Sequence, residues 1–453
     1  VNVQAAPDDI RDCCEGAIPG VLATCAPDGT PNVSYLSQIE YLDAGHLALS
    51  FQFFNTTRRN ILANPVARLL LIHPLTGAMF RVGLHYERTE TRGPLFERMR
   101  AKLAGIASHE GMSGVFRLRG SDIYRITDIE AVAGRPMAAP PRPASRLAAL
   151  RRSSARLNAA TDLASAFDAV LDGLVFDFGI EHALLLMPDG SGTRLYAVGS
   201  RGYDDSGIGA EIPLGAGVIG IAASSCIPIR INFRAMEYSY GRAIREAALH
   251  GGLGDRLETR IPFPGLAEPN SQLAVPILSA GAVPALLGVL YVESPQTMRF
   301  SYDDEDALVS LAAQLALAMR LLQAAEPATI EDEIDERPAP LANDAPPLVV
   351  RHYAENHSVF LGDSYLIKGV AGSIFWTLMR DHAHSGRTLF SNRELRVDPR
   401  IGLPDLSDNL EARLILLQRR LVEHAASVRI EKTGRGRFRL CVHRPLQLVD
   451  VPA

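Results

Sequence analysis

The pattern of apolar and polar positions changes character along the chain. From Gly20 to Thr91 short apolar runs separated by turn residues read as consecutive strands. Gly20 to Ala26 and Pro31 to Ile39 flank the turn Pro27-Asp28-Gly29-Thr30, which predicts a hairpin. His46 to Phe53, Val66 to Ile72 and Ala78 to Thr91 read as further strands. A short helix over Arg58 to Ala63 stops ahead of Asn64-Pro65, because proline has no N–H and a fixed φ. A helix over Pro94 to His109 and a closing strand within Val115 to Val132 complete the set. Many short strands around few helices predict a small barrel.

The middle of the chain opens with an amphipathic helix, Leu163 to Phe178. Strands follow at His182 to Met187 and Leu195 to Ser200, around Pro188-Asp189-Gly190-Ser191-Gly192. Gly215 to Gly220 starts a helix that ends near Ser225. A long irregular stretch precedes two apolar strands, Gln272 to Leu278 and Leu286 to Glu293. Ser301 and Asp304 form a capping box, and Asp303, Glu305 and Asp306 favour the positive end of the helix they open. Its residues Leu308, Leu311, Leu315, Ala318 and Leu322 fall at spacings of three and four. This stripe and the arginine-studded helix near Ala144 to Leu157 fit either a parallel helical interface in a homodimer or packing on the domain's own sheet.

Beyond residue 348 short strands are expected at Val349 to Tyr353, Ser358 to Leu361 and Tyr365 to Ile367. A helix over Ala371 to Asp381 carries Ile374, Phe375, Leu378 and Met379 on one face. Thr388 to Phe390 is a strand, Ser391 caps a short helix through Leu395, and a longer helix spans Ser407 to Glu423. Val428 to Glu431 and Arg437 to Val442 flank Gly434-Arg435-Gly436 as a closing hairpin.

Two stretches interrupt these patterns. Gly134 to Arg146 is rich in proline, a semi-rigid connector. Glu326 to Pro347 is acidic, proline-rich and free of aromatics, so it cannot bury a core. The expected division is therefore residues 1–133, a linker at 134–147, residues 148–325, a second linker at 326–347, and residues 348–453.

Composition adds limits. The 453 residues are 47% hydrophobic and 21% charged, with a net charge of -5, so nothing global calls for nucleic acid. From Pro346 onward, however, 16 Lys and Arg face 11 Asp and Glu, a local basic balance. Cys13, Cys14, Cys25, Cys226 and Cys441 lack zinc-ligand spacing, so no metal site is expected. The N-terminus has no basic-then-apolar signal pattern, and no apolar run nears the roughly 20 residues that span a bilayer. A cytoplasmic protein without a membrane segment is the expectation.

Three sets of residues carry resemblances. Gly20-Val21-Leu22-Ala23-Thr24, Asp28-Gly29-Thr30-Pro31, and Thr57-Arg58-Arg59-Asn60 leading to Asn64-Pro65-Val66 resemble the pyridoxamine-phosphate-oxidase-like, FMN-binding split-barrel family. In that family a hydroxyl and basic residues in this region hold the FMN phosphate. The implied cofactor set is Gln52, Thr57, Arg58, Arg59 and Asn60, with Gln52 offering amide contacts to the flavin ring. Paired guanidinium groups near a helix start suit a dianion; the alternative is a solvated helix face. Haem is the second cofactor considered, with His73 and His85 as iron ligands against a purely structural role. No residue set for a second, substrate phosphate is found, so catalytic residues stay unassigned.

Leu273 to Leu278, Leu287 to Ser294, Phe300 to Asp306 and the Pro213 to Gly220 run are similar to a GAF domain. That resemblance implies a small-molecule pocket between the sheet and a lid at about Asn232 to Pro264, with Phe233, Met236, Tyr238 and Tyr240 as lining. An ordinary core explains the same side chains.

Thr388 to Leu395, Gln418-Arg419-Arg420-Leu421 and Ile430 to Leu440 are similar to the winged helix of response-regulator output domains. The resemblance implies DNA binding by Arg413, Arg419 and Arg420 on the long helix and by Lys432, Arg435 and Arg437 in the wing. Asp405, Asp408, Asn409 and Glu411 early in the helix oppose it, and Leu416 stands where the family often has a basic residue. A winged helix used for protein contacts is the alternative.

The fold class expected is thus multidomain α+β: a split β-barrel, a GAF α/β sandwich with an antiparallel sheet, then a winged helix-turn-helix. The function expected is a signal-responsive regulator in which barrel and GAF domain control a DNA-binding output. The alternatives are an FMN-dependent oxidoreductase with regulatory appendages and a cofactor-free interaction scaffold.

Overall fold

A computed structural model describes residues 3–36, 38–51, 56–109, 117–138, 145–233, 261, 263–281, 284–324, 346–403, 410–424, 427–434 and 436–452. In the first third, eight strands form one antiparallel sheet: β1 (Val3–Gln4), β2 (Gly20–Cys25), β3 (Pro31–Leu36), β4 (Ile39–Asp43), β5 (His46–Phe51), β6 (Val66–Ile72), β7 (Met79–Glu90) and β8 (Gly120–Ala131). Their order is β3-β2-β6-β7-β8-β5-β4, with β1 added on β8. Helix α1 (Thr56–Ala63) lies over β2 and β3, and α2 (Pro94–His109) follows β7. Leu22, Leu47, Leu49, Leu69, Leu71, Val82 and Tyr124 fill the interior. The single run expected over Pro31 to Ile39 is two strands. The first, β3, ends at Leu36, and the second, β4, begins at Ile39, where Gln38, Ile39 and Glu40 are buried in succession.

The middle third is a six-stranded antiparallel sheet, β11-β10-β9-β14-β13-β12, built from β9 (His182–Pro188), β10 (Arg194–Arg201), β11 (Glu211–Pro213), β12 (Ile229–Ile231), β13 (Ser271–Leu278) and β14 (Leu286–Ser294). Both faces are covered, so successive residues of β9 enter different cores. Leu185 and Met187 meet α3 (Arg146–Asn158), α4 (Leu163–Phe176) and the long helix α6 (Tyr302–Ala324). Leu184 and Leu186 meet α5 (Gly217–Ser225) and, from the first third, Ala101 of α2. The capping box is in place: Ser301 N–H donates to Asp304 at 2.8 Å, and Asp304 N–H donates back to Ser301 Oγ at 3.2 Å. Leu308, Leu311 and Leu315 are buried on the domain's own sheet, while Leu317 and Leu321 are exposed.

The last third holds two small sheets around three helices. Strands β15 (Leu348–Tyr353), β16 (Ser358–Leu361), β17 (Ser364–Ile367) and β21 (Leu446–Val451) run in the order β17-β16-β15-β21, with β15 and β21 parallel. Strands β18 (Leu389–Ser391), β19 (Val428–Gly434) and β20 (Arg437–Val442) form the order β18-β20-β19. The helices are α7 (Gly369–Ser385), α8 (Asn392–Val397) and α9 (Leu410–Glu423). Ser391 caps α8 through the Glu394 N–H, as its sequence predicts. Leu410, Leu414, Leu417 and Leu421 of α9 share one face at helical spacing, and all are buried. Ala412, Arg413, Ile415 and Leu416 lie off that face and are buried as well, so α9 is enclosed on more than one side. No helix among the described residues is long and apolar enough to cross a membrane.

Candidate functional site

The residues singled out in the sequence fall at three places. At the first, α1 sits against the β2–β3 hairpin. Asn32 donates to Thr57 Oγ1 at 2.8 Å, Thr57 donates to Ser34 Oγ at 3.1 Å, and Asn60 donates to Thr24 Oγ1 at 3.2 Å. Arg58 donates to Asp122 at 2.6 Å and lies over the rings of Phe51 and Tyr86, at 4.8 Å and 5.6 Å from their centroids. Burial pushes the Asp122 carboxyl up, against the opposing pull of Thr89 and Arg58. Arg59 is exposed and donates to Thr56 at 3.2 Å. Gln52 lies outside the described residues.

Three of these donors are already engaged. The Arg58 charge is balanced by a buried carboxylate, and the Thr57 and Asn60 side chains are committed to the sheet. A dianion there would meet Asp122. Of the histidines considered for haem, His85 lies on β7 opposite Val66, and His73 is engaged locally. His73 Nδ1 accepts from the N–H groups of Leu75 and Thr76, and its Nε2 lies 3.6 Å from Asp12. No group of three or more His, Cys, Asp or Glu that could hold a metal ion occurs among the described residues. The Cys13 thiol is pushed up to about 12, chiefly by burial.

The second place is the sheet face of the middle domain that carries α5. Gln272, Glu293 and His182 stand opposite one another across β13, β14 and β9. Glu293 is 1% exposed and accepts from Tyr291 O–H at 2.8 Å and Leu266 N–H at 2.7 Å. Tyr203 packs edge-on against His182 with ring centroids 5.3 Å apart, and burial, then the Glu293 carboxylate, pushes its hydroxyl up. This polar row was missed in the sequence, where Glu293 reads only as a strand end. The available signal was a buried-type strand ending in a carboxylate. Phe233 is half-buried at the seam with the N-terminal domain, where a Cβ on Gly16 would lie 3.8 Å from its ring. Met236, Tyr238 and Tyr240 lie outside the described residues.

The third place joins α9 to the middle domain. Arg419 donates to the Val198 carbonyl of β10 at 2.6 Å and to Asp168 of α4 at 3.0 Å. The Arg413 guanidinium lies 5.3 Å from the centre of the Tyr196 ring. Lys432 of β19 donates to Asp162, the N-cap of α4, at 2.6 Å. Arg420 turns to its own domain, donating to the carbonyls of Leu366 at 3.0 Å and Tyr365 at 3.4 Å. Burial depresses the Arg419 pKa, with Asp168 opposing. For Asp162, burial raises the carboxyl, but Lys432 and Ser165 outweigh it and the net shift is down. A cavity of about 370 Å³ opens beside this seam, walled by Leu195, Tyr196 and Glu211 on one side and by Lys368, Arg413 and Leu416 on the other. Arg437 lies on β20 opposite Ser391, and Arg435 lies outside the described residues.

The N-terminal domain docks on the same hub. Arg230 of β12 has a 2% exposed side chain, donates to Glu305 of α6 at 2.8 Å and is bonded to Glu15 of the N-terminal domain. Both flanking domains therefore reach the middle one through arginine–carboxylate contacts.

Comparison with known proteins gives family matches in the first and middle thirds. Residues 6–125 match the family described as pyridoxamine 5'-phosphate oxidase, and residues 160–320 match the family described as GAF domain. No curated protein matches the chain. Among solved structures, the GAF domain of an Acinetobacter phosphoenolpyruvate-protein phosphotransferase is 21% identical; the alignment covers 42% of this chain and 100% of that one, with a TM-score of 0.31. A free methionine-R-sulfoxide reductase from Neisseria meningitidis, in complex with its substrate, is 18% identical, covering 42% and 96% with a TM-score of 0.31. An FMN-binding protein from Syntrophomonas wolfei is 14% identical, covering 28% and 86% with a TM-score of 0.25. The chain thus carries a pyridoxamine-phosphate-oxidase-like domain followed by a GAF domain.

Proposed function

We propose that this chain is a signal-responsive regulator in which the GAF domain is the hub, and in which the state of that hub governs a C-terminal winged-helix output. The observation that carries the reading is the seat of α9 on β10 and α4, with Arg419 on the Val198 carbonyl and Asp168. A change at the GAF sheet reaches the output helix through direct contacts, without a long relay. The small-molecule reading of the GAF domain finds support in the Gln272–Glu293–His182 row, where a buried carboxylate and amide suit a ligand with hydrogen-bond donors.

The N-terminal domain contributes regulation by docking through Glu15 and Arg230. The flavin-dependent oxidoreductase reading has less behind it, since Arg58 would first have to leave Asp122. FMN held by Thr57, Arg58, Arg59 and Asn60 is accordingly the weaker assignment for this domain.

The test is identification of the co-purifying small molecule by mass spectrometry of the denatured protein, followed by hydrogen exchange on α9 with and without it. Ligand-dependent exchange in α9 supports the reading. A ligand that changes exchange only within the GAF domain would sink it.

A further inference from the structure

We infer that the GAF domain and duplex DNA compete for the same surface of the C-terminal domain, so that the docked arrangement is an autoinhibited state. This rests on the winged-helix reading above and adds the means by which the output is held off.

The surface is the side of α9 turned away from its own core, together with β19. A helix that reads a groove must present side chains at spacings of three and four on its free side. On α9 those positions are Ala412, Arg413, Leu416 and Arg419. Arg419 is spent on a main-chain carbonyl and Asp168, and Arg413 covers Tyr196. Leu416 is 4% exposed and lies near Gly209 of the GAF domain. Lys432, a wing cation at the seam, is held by Asp162. The acids of α4 thus occupy cations that phosphates would otherwise neutralise. A rod of DNA cannot reach α9 while β10 and α4 cover it.

The latch is built to open. The Asp168 and Lys432 side chains are 46% and 45% exposed against 17% for Arg419 and 24% for Asp162, so each ion pair keeps one member in solvent and is screened there. An exposed pair is worth up to roughly fivefold in an equilibrium. Loss of both raises the open fraction about tenfold, and apparent DNA affinity rises with it. Asp168 also pairs with Arg201, which keeps Asp172 as a second partner, so removing the Asp168 charge does not strand Arg201.

The experiment uses the full chain and the double variant Asp162→Asn with Asp168→Asn. Asparagine retains the helix cap at 162. Two quantities are read: hydrogen exchange in α9, and binding of a mixed-sequence DNA duplex over a salt series. The expected result is faster exchange in α9 with DNA affinity raised about tenfold and a steep salt dependence. Unchanged exchange with equal DNA binding by both proteins overturns the latch and leaves the DNA output standing. Faster exchange with no DNA binding by either protein overturns the competition and the DNA output together. Arg419→Ala added to the double variant must lower its DNA affinity; if it does not, α9 is not the shared surface.

Discussion

Arg419 and Val198 are 221 residues apart in the chain and 2.6 Å apart in space, the guanidinium of one donating to the carbonyl of the other. The carbonyl is available because β10 is irregular between Ala197 and Gly199 in its pairing with β9. The side chain fits because residue 199 is glycine: a Cβ there would lie 2.4 Å from Arg419 Nη1 and 2.8 Å from Leu171 Cδ1. Gly199→Ala should therefore displace the Arg419 tip and loosen α9 from the GAF sheet at a cost of about 1–3 kcal/mol. Faster hydrogen exchange in α9, with exchange in β13 and β14 unaltered, is the expected pattern. Uniform exchange changes across the GAF sheet would mean that Leu171 rather than Arg419 gives way.

The C-terminal domain should lose stability as pH falls below about 6.5, the ordinary histidine value. His357 is depressed, first by burial and then by His352; His424 is depressed by burial and then by Arg420. A depressed histidine binds protons more readily when unfolded, so its stabilising share is complete above the unfolded value and is lost as pH drops through the folded one. His352 itself is buried, stacked 4.8 Å from Trp376, and bonded to Asp450 at 2.8 Å and His357 at 3.2 Å. Trp376 is the chain's single tryptophan, so its fluorescence follows this domain alone. The urea midpoint read at Trp376 should fall from pH 7.5 to 5.5. His357→Asn, which suits the left-handed φ of 55° at that position, should flatten the trend.

Arg230 should be the residue whose loss most damages the join between the N-terminal and GAF domains. Its side chain is 2% exposed between Glu15 and Glu305. Burial raises the Glu15 carboxyl despite Arg230, whereas Glu305 is held down, burial being outweighed by Lys102 and Arg230. Arg230→Ala leaves two carboxylates buried without their cation and should cost about 3–5 kcal/mol. Glu15→Gln should cost much less, because the amide still accepts. Differential scanning calorimetry checks this: one joint transition should split in two for Arg230→Ala only.

Much of this architecture was legible from local rules, and the reasons it ran out are specific. The Ser301–Asp304 box and the Ser391 cap are set by neighbours three residues apart, so sequence alone fixes them. Strand β21 was not anticipated, because its parallel partner β15 lies about a hundred residues away and no local pattern encodes that pairing. That Arg413 and Arg419 face the GAF domain here was not anticipated, for a related reason. A helix face with arginines at these spacings reads alike for phosphates and for a protein surface. Leu416 in their midst and the acidic start of the helix were the local signs of a protein partner.

FMN should not be retained through the Thr57–Asn60 segment. A phosphate reaching Arg58 comes close to Asp122, which Arg58 already contacts at 2.6 Å. Two unit charges of like sign 4 Å apart repel by about 4 kcal/mol at an effective dielectric of 20, and a phosphate dianion fares worse. Replacing the carboxylate by an amide removes that repulsion and leaves an oxygen for the Arg58 guanidinium. Free FMN titrated with the wild-type chain should thus keep its fluorescence, and Asp122→Asn should begin to quench it at lower protein concentration. A wild-type preparation that stays yellow through gel filtration would refute the argument. Equal quenching by both proteins would place any flavin away from Arg58.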